Sequence, residues 1–311
     1  MATVRRPDLE RIPVSRPDFI GQQIAPPQTV MGLAGTAYYD DIVSDQTAQQ
    51  NRSAGSAITS AYVSVASQAY SIAPIERRAK AEDYRVPLLG GLVRAETKLA
   101  RVSIRSVYAV HEALVAAAVL AQASPGGSAN IGSSLIGAID TGKATIEDYG
   151  AMGRIALVGS RKVVQRVKRY SEVTDRMVFT GVPTSDLRDV RNISDQQLAA
   201  ALGVDVVLAG KNSIWYSGAA VYEQRLALVI LPDPAMDADE EIQAFRTLSF
   251  PVDGAEGGLQ VQSYFDDDLT SYVVQARLYQ QLNTYNPELV YLLKGVDESN
   301  AVTSGTTATD A

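Results

Sequence analysis

GAIDTGKAT, Gly137–Thr145, is the stretch of this 311-residue chain that comes nearest to a catalytic motif. A phosphate-binding loop reads G-x-x-x-x-G-K-[ST]: backbone N–H groups cradle phosphates, the lysine neutralises charge and the hydroxyl ligates magnesium. Lys143 stands in place, but Ala144 occupies the hydroxyl position and Thr145 comes one residue late. Thr145 and Asp148 form a T-x-x-D capping pattern, which predicts a short helix from Ile146 to about Met152 rather than a helix opening on the loop itself. His111 is the only imidazole. Asp266–Asp268 reads as a turn, and Asp237, Asp239 and Glu241 have the first spacings of a calcium loop, with Ile242 where its glycine belongs. There is no cysteine, so thiolate nucleophiles, disulfides and cysteine-held metals are excluded. Nothing assembles an acid, a base and a nucleophile, and no catalytic, cofactor-binding or metal-binding residue is assigned.

The elements that must position these residues are legible in outline. Five of the thirteen prolines fall within the first 27 residues, which predicts an extended arm that is either disordered or laid on another surface. Gly55–Ile72 is uncharged and rich in Ser, Val and Tyr, which favours a strand in a projecting hairpin; left uncovered it is an edge hazard. Leu92–Ala123 reads as a helix of about 30 residues, roughly 45 Å long. Its expected core face is Leu92, Leu99, Val107, Val110, Leu114 and Ala117; Arg94, Lys98, Arg101, Arg105 and Glu112 share the opposite face, with His111 on the flank in a packing or hydrogen-bonding role.

Beyond SPGG, Ser124–Gly127, come alternating elements. Strands are expected at Ile155–Val158, Val204–Leu208, Leu226–Leu231 and Leu289–Leu293. Helices are expected at Arg161–Arg169, capped by Ser160, and at Asp195–Leu202, with Ser194 and Gln197 as a capping box and Gly203 as the stop. Gly258–Gln281 reads as two strands joined at Asp266–Asp268. The polar tail from Glu298 is read as disordered.

Bulk properties narrow the class. Apolar residues make up 46% and charged residues 20% of the chain, as in globular proteins. No signal peptide and no uninterrupted run of about 18 apolar residues is present. The net charge of −7 is uneven: Asp233–Asp268 holds ten acids and one base, Arg154–Arg191 nine bases and four acids. Such a split suits either two solvated surfaces or contact between copies.

Taken in order, these parts resemble the tailed-bacteriophage major capsid protein of the Hong Kong 97 fold. FIGQQIAPPQTV (Phe19–Val30) resembles its arm. AYSIAPIERRAKAEDY resembles the exit from its E-loop, and LVRAETKLARVSIRSVYAVHEAL its spine helix. RIALVGSRKVVQRVKRYSEVTDRM and ISDQQLAAALGVDVVLAG are similar to A-domain segments, and VQSYFDDDLTSYVVQARLYQQLNTYNPELVYLLKG to the closing strands.

The resemblance implies an α+β capsid fold. Its parts are an arm at 1–36, an E-loop hairpin at 37–76, a P-domain at 77–130 with spine helix 92–123, an A-domain at 131–257, P-domain strands at 258–283, a return to the A-domain at 284–296 and a tail at 297–311. It implies a non-enzymatic shell subunit forming hexamers and pentamers around packaged double-stranded DNA in a virion, assembled in the host cytoplasm. A portal and a separate scaffolding protein are implied as partners, with weak non-specific DNA contact, no cofactor and no membrane. Arg94, Lys98, Arg101 and Arg105 are the candidate lumen or inter-subunit contacts. An encapsulin-like compartment, an α/β enzyme using 137–145, and a tail or decoration protein are the alternatives.

Overall fold

In the computed structural model, residues 4–10, 19–40, 65–120, 127–131, 134–149, 153–179, 193–215, 224–232, 243–252 and 256–296 are described. The chain gathers into two units. The first comprises Met1–Tyr39, Val65–Val115 and Phe245–Thr284; the second comprises Asp40–Ser64, Ala116–Ala244 and Tyr285–Ala311.

The first unit is built around residues 92–115 of the helix Leu92–Leu120. A four-stranded antiparallel sheet runs in the order Val4–Arg5, Leu259–Asp266, Ser271–Leu278, Ile75–Glu82. Leu99, Ala100, Ile104 and Val107 of the helix pack with Val261, Val274, Ala276, Leu278 and Ala81 of the strands. The Ser103 hydroxyl, among them, donates to the Val274 carbonyl at 2.9 Å.

The buried stripe therefore differs from the expected one: Leu92 and Leu114 are exposed, while Ala95, Ala100 and Ser103 are buried. Small residues let the helix approach the sheet closely, and a reading weighted by side-chain size passes over them. By length and composition this helix is also apolar enough to cross a bilayer. Four of its residues, Leu99, Ala100, Ile104 and Val107, are buried against the strands.

The two closing strands pair in register from Leu259 with Leu278 to Asp266 with Ser271, joined through the expected acidic turn. Gln280–Thr284 then breaks away and pairs antiparallel with Phe245–Ser249, which pairs parallel with Pro27–Thr29. Phe245–Ser249 is a strand that the sequence reading did not place.

Ala34–Asp40 and Val65–Ser71 form a two-stranded ribbon. No residue in 34–39 or 66–71 is buried, and Tyr38 is 70% exposed. The rest of the expected hairpin strand, 55–64, lies outside the described residues, as do the acidic 237–241 segment and the expected tail.

The second unit has a five-stranded sheet in the order Ser128–Asn130, Val290–Lys294, Arg225–Leu231, Arg154–Ser160, Val206–Gly210. Its strands and caps follow the sequence closely. Ser160 accepts from the Val163 N–H, Ser194 and Gln197 form the reciprocal capping box, and Gly203 ends its helix at φ 65°. A helix at Ser171–Phe179 follows a break at Lys168–Tyr170, where a single helix to Arg169 was expected. The Lys168 ammonium, nearly buried, donates to the Ile193 carbonyl at 2.7 Å and to Asp195 at 2.8 Å.

One expectation fails outright. Gly137–Thr145 lies inside a regular helix, Leu135–Asp148, whose N-cap is Ser134, not Thr145. Gly142 explains how a glycine-rich stretch can be helical: a Cβ there would come within 2.6 Å of the Tyr291 ring and 2.7 Å of Leu228. The glycine serves close packing of helix on sheet, not a turn. Gly142→Val is expected to lower stability by about 1–3 kcal/mol through overpacking, seen as a lower urea midpoint. An unchanged midpoint would show that the contact yields freely.

Candidate functional site

The helix Leu135–Asp148 removes the phosphate-loop reading by geometry. The Ile136 N–H is taken by the Glu172 carboxylate, the Gly137 N–H by the Ser134 hydroxyl and the Ala138 N–H by the Ser134 carbonyl, and Thr141 and Thr145 donate their hydroxyls to the Gly137 and Thr141 carbonyls, each at 2.8 Å. The Lys143 ammonium points to the Gly203 carbonyl at 2.5 Å, at the end of the neighbouring helix. Among the described residues no cluster of three or more His, Cys, Asp or Glu side chains is placed to hold a metal.

Polar chemistry concentrates instead where the N-terminal segment meets the long helix, within the first unit. Glu112 is 1% exposed. Its carboxylate accepts from the backbone N–H of Ile20 at 3.0 Å and of Gly21 at 2.6 Å, at the start of the short helix Gly21–Ile24. Gly21 permits this approach: a Cβ there would lie 2.5 Å from the carboxylate. Beside it, His111 is buried and its Nε2 lies 3.1 Å from the Thr247 hydroxyl.

Thr247 donates its own proton to the Ala25 carbonyl at 2.9 Å. A hydroxyl has one proton, so Nε2 must be the donor, and the neutral ring carries its hydrogen there. Burial pushes the His111 pKa down to about 4. Ile20, Ile24 and Ala25 are almost wholly buried, and the Phe19 ring lies 6.3 Å from Tyr108.

Further toward the N-terminus, Arg6 donates to Glu96 at 2.7 Å and to Asp8 at 2.8 Å, which raises the guanidinium pKa and lowers that of Asp8. The two acids of the long helix, Glu96 and Glu112, thus each hold a piece of the N-terminal segment.

This corrects two expectations. Residues 19–29 are seated on their own chain, because Ile20, Ile24 and Ala25 supply apolar surface between the prolines. Glu112 does share a bearing with the basic stripe, but the N-terminal segment covers it. The available clue was two acids on a helix that is otherwise cationic outside its core. His111 has the hydrogen-bonded packing role expected. Arg94, Lys98, Arg101 and Arg105 are all exposed.

No protein-family model and no curated protein matches the sequence. Solved structures do match in fold. A phage-related protein from Bordetella bronchiseptica RB50 superposes with a TM-score of 0.70 at 18% identity, over 95% of this chain and 98% of that one. The capsid of cyanophage P-SCSP1u matches with a TM-score of 0.52 at 12% identity, over 89% and 88%. This chain has the Hong Kong 97-type capsid fold. The SrpI encapsulin of Synechococcus elongatus PCC 7942 shares it, with a TM-score of 0.54 at 12% identity over 91% and 92% of the two chains. Coverage near nine-tenths on both sides means that the capsid fold takes in both units.

Proposed function

We propose that this chain is a structural subunit of a tailed-phage capsid, assembling into hexamers and pentamers that enclose double-stranded DNA. The observation that carries the proposal is the end-to-end match of the capsid fold, which spans 95% of this chain and 98% of the phage-related protein. The ribbon Ala34–Asp40 with Val65–Ser71 supports it. Two strands with no buried residue in 34–39 or 66–71 are marginal alone in water and call for a covering surface, which identical neighbours in a shell supply.

In this reading 1–36 is the arm, 37–76 the E-loop hairpin, 77–130 and 258–283 the P-domain, and 131–257 with 284–296 the A-domain. The role is structural rather than catalytic. A separate scaffolding protein and a portal are the expected assembly partners, with assembly in the host cytoplasm and residence in the virion. Contacts between copies can be individually weak because a closed shell is multivalent. A net charge of −7 keeps contact with packaged DNA weak.

A second reading, a protein-enclosing compartment, is favoured by the encapsulin match. Electron microscopy of purified particles, with nuclease-protection and protein analysis of their contents, tests both. Protected DNA supports the phage shell, protein cargo supports the compartment, and the absence of closed particles under all assembly conditions refutes both.

Changing Arg94, Lys98, Arg101 and Arg105 together to Ala is expected to leave subunit melting nearly unchanged and to lower particle yield by roughly tenfold or more, the scale on which multivalent assembly amplifies weak contacts. Normal yield would remove these residues from assembly.

A further inference from the structure

The strand Val206–Gly210 stands at one edge of the second unit's five-stranded sheet, paired in parallel with Arg154–Ser160 on one side. Among the described residues no strand pairs with its other side. An edge strand turns unpaired N–H and C=O groups outward, a template for another strand, and natural edges are blunted by charge, proline or shortness. Such guards are present at other edges: Ile75–Glu82 carries five charges, Pro27–Thr29 opens on proline and Ser128–Asn130 is three residues long. Val-Val-Leu-Ala-Gly has no charge and no proline, and its five residues are an ordinary strand length. Val207 and Leu208 are each only 7% exposed, and the helices Arg161–Val167 and Asp195–Leu202 pack against the strand. The side chains thus have cover that the backbone edge lacks.

The two ends of the strand carry opposite charges: Asp205 precedes it and Lys211 follows it. Asp205 is exposed; one carboxylate oxygen accepts from the Ile155 N–H at 2.7 Å, which leaves the second for another donor. Lys211 is half-buried, and among the described residues its ammonium has no hydrogen-bond or ion-pair partner.

We propose that this edge pairs with the same edge of a second copy, antiparallel and two-fold symmetric, with Leu208 opposite Leu208. The sequence selects both the partner and the register. Pairing about Leu208 sets Val206 opposite Gly210 and brings Asp205 of each copy against Lys211 of the other, one ion pair at either end. A slip of one residue turns one copy's side chains to the opposite face, and a slip of two sets both charges opposite uncharged residues. Five paired residues a side fall well short of the roughly 20–30 of a standard interface, so the contact is weak alone. A two-fold contact makes pairs and cannot close a ring. It therefore adds to the contacts within hexamers and pentamers, and goes beyond the shell reading without depending on it.

The test is zero-length carbodiimide cross-linking of the purified full-length chain, in solution and in particles, with isotope-labelled and unlabelled copies mixed before assembly. Within one copy Asp205 and Lys211 lie at opposite ends of an extended strand, roughly 20 Å apart, beyond the reach of a direct amide. The expected product is an Asp205–Lys211 amide joining a labelled to an unlabelled peptide. A second arm uses the absence of native cysteine. Leu208→Cys should give a disulfide-linked dimer on mild oxidation, because directly opposite Cα atoms lie about 4.5–5.5 Å apart, within disulfide range. Val206→Cys, with its counterpart roughly 13 Å away along the pair, should not. Lys211→Glu should slow the trapping of Leu208→Cys by at least about tenfold, because it sets like charges against each other at both ends.

No mixed Asp205–Lys211 product in either state overturns the proposal. So does equal trapping at 206 and 208, which marks random collision, or trapping that Lys211→Glu leaves unchanged. If the Leu208→Cys chain does not fold, the carbodiimide product, obtained on the unaltered sequence, decides alone. Particles without that product sink this inference alone, and the product without particles under any condition sinks the shell reading alone.

Discussion

Glu112→Ala is expected to destabilise the first unit by about 3–5 kcal/mol and to free residues 19–29 from the long helix. The size follows from what is left behind. Two backbone N–H groups, on Ile20 and Gly21, lose their acceptor in a site where Glu112 is 1% exposed. Each buried unsatisfied donor costs about 1–3 kcal/mol, and removing one partner of a buried charged contact costs about 3–5 kcal/mol. Glu112→Gln keeps one carbonyl acceptor but turns an NH2 donor toward the second backbone N–H, so it loses the charge and one of the two bonds and should recover only part of the alanine loss. Denaturant melts give the magnitude, and hydrogen exchange at Ile20 and Gly21 gives the location. If those amides stay protected in the alanine variant, the carboxylate is not what holds the segment.

Acid is expected to loosen the same place. His111 is held neutral by burial, with a folded pKa of about 4 against 6.5 when unfolded. The folded state therefore binds fewer protons than the unfolded one between those values. The contribution is fully present above pH 6.5, declines as pH falls through that window, and is lost below about pH 4. A shift of that size corresponds to about 3 kcal/mol. Carboxylates titrate nearby in pH, so the quantity to measure is the difference between the parent and His111→Gln. The gap between the two stability curves should be largest and constant above pH 6.5, with the parent more stable, and should close as pH falls toward 4. Parallel curves would mean that His111 is not buried as a neutral ring.

What the sequence disclosed and what it hid divide along a physical line. Local signals were reliable: the Ser194–Gln197 box, Gly203 in the left-handed region and the turn after Asp266 are each set by neighbours a few residues away. The order of elements was enough to suggest the capsid fold.

Signals that depend on a distant surface were misread. GAIDTGKAT looks like a loop because its glycines are common in loops, yet Gly142 is required by Tyr291, 149 positions along the chain from it. Glu112 looks solvated on a helical wheel because the wheel holds no N-terminal segment. The helix's core stripe was displaced for a related reason: Ala95, Ala100 and Ser103 contribute by being small, which a count of bulky residues ignores. Phe245–Ser249 became a strand because Pro27–Thr29 and Gln280–Thr284 flank it, and neither lies close in sequence.

Because residues 19–29 are seated on their own chain, the shell proposal rests on the ribbon, which it predicts to be ordered by identical copies. The most direct measurement is hydrogen exchange across Ala34–Asp40 and Val65–Ser71, made on dilute subunits and on assembled particles. Fast exchange in the subunit and strong protection in the particle is the predicted pair of results. Equal protection in both states would contradict the account, since the ribbon would then be stable without any neighbour.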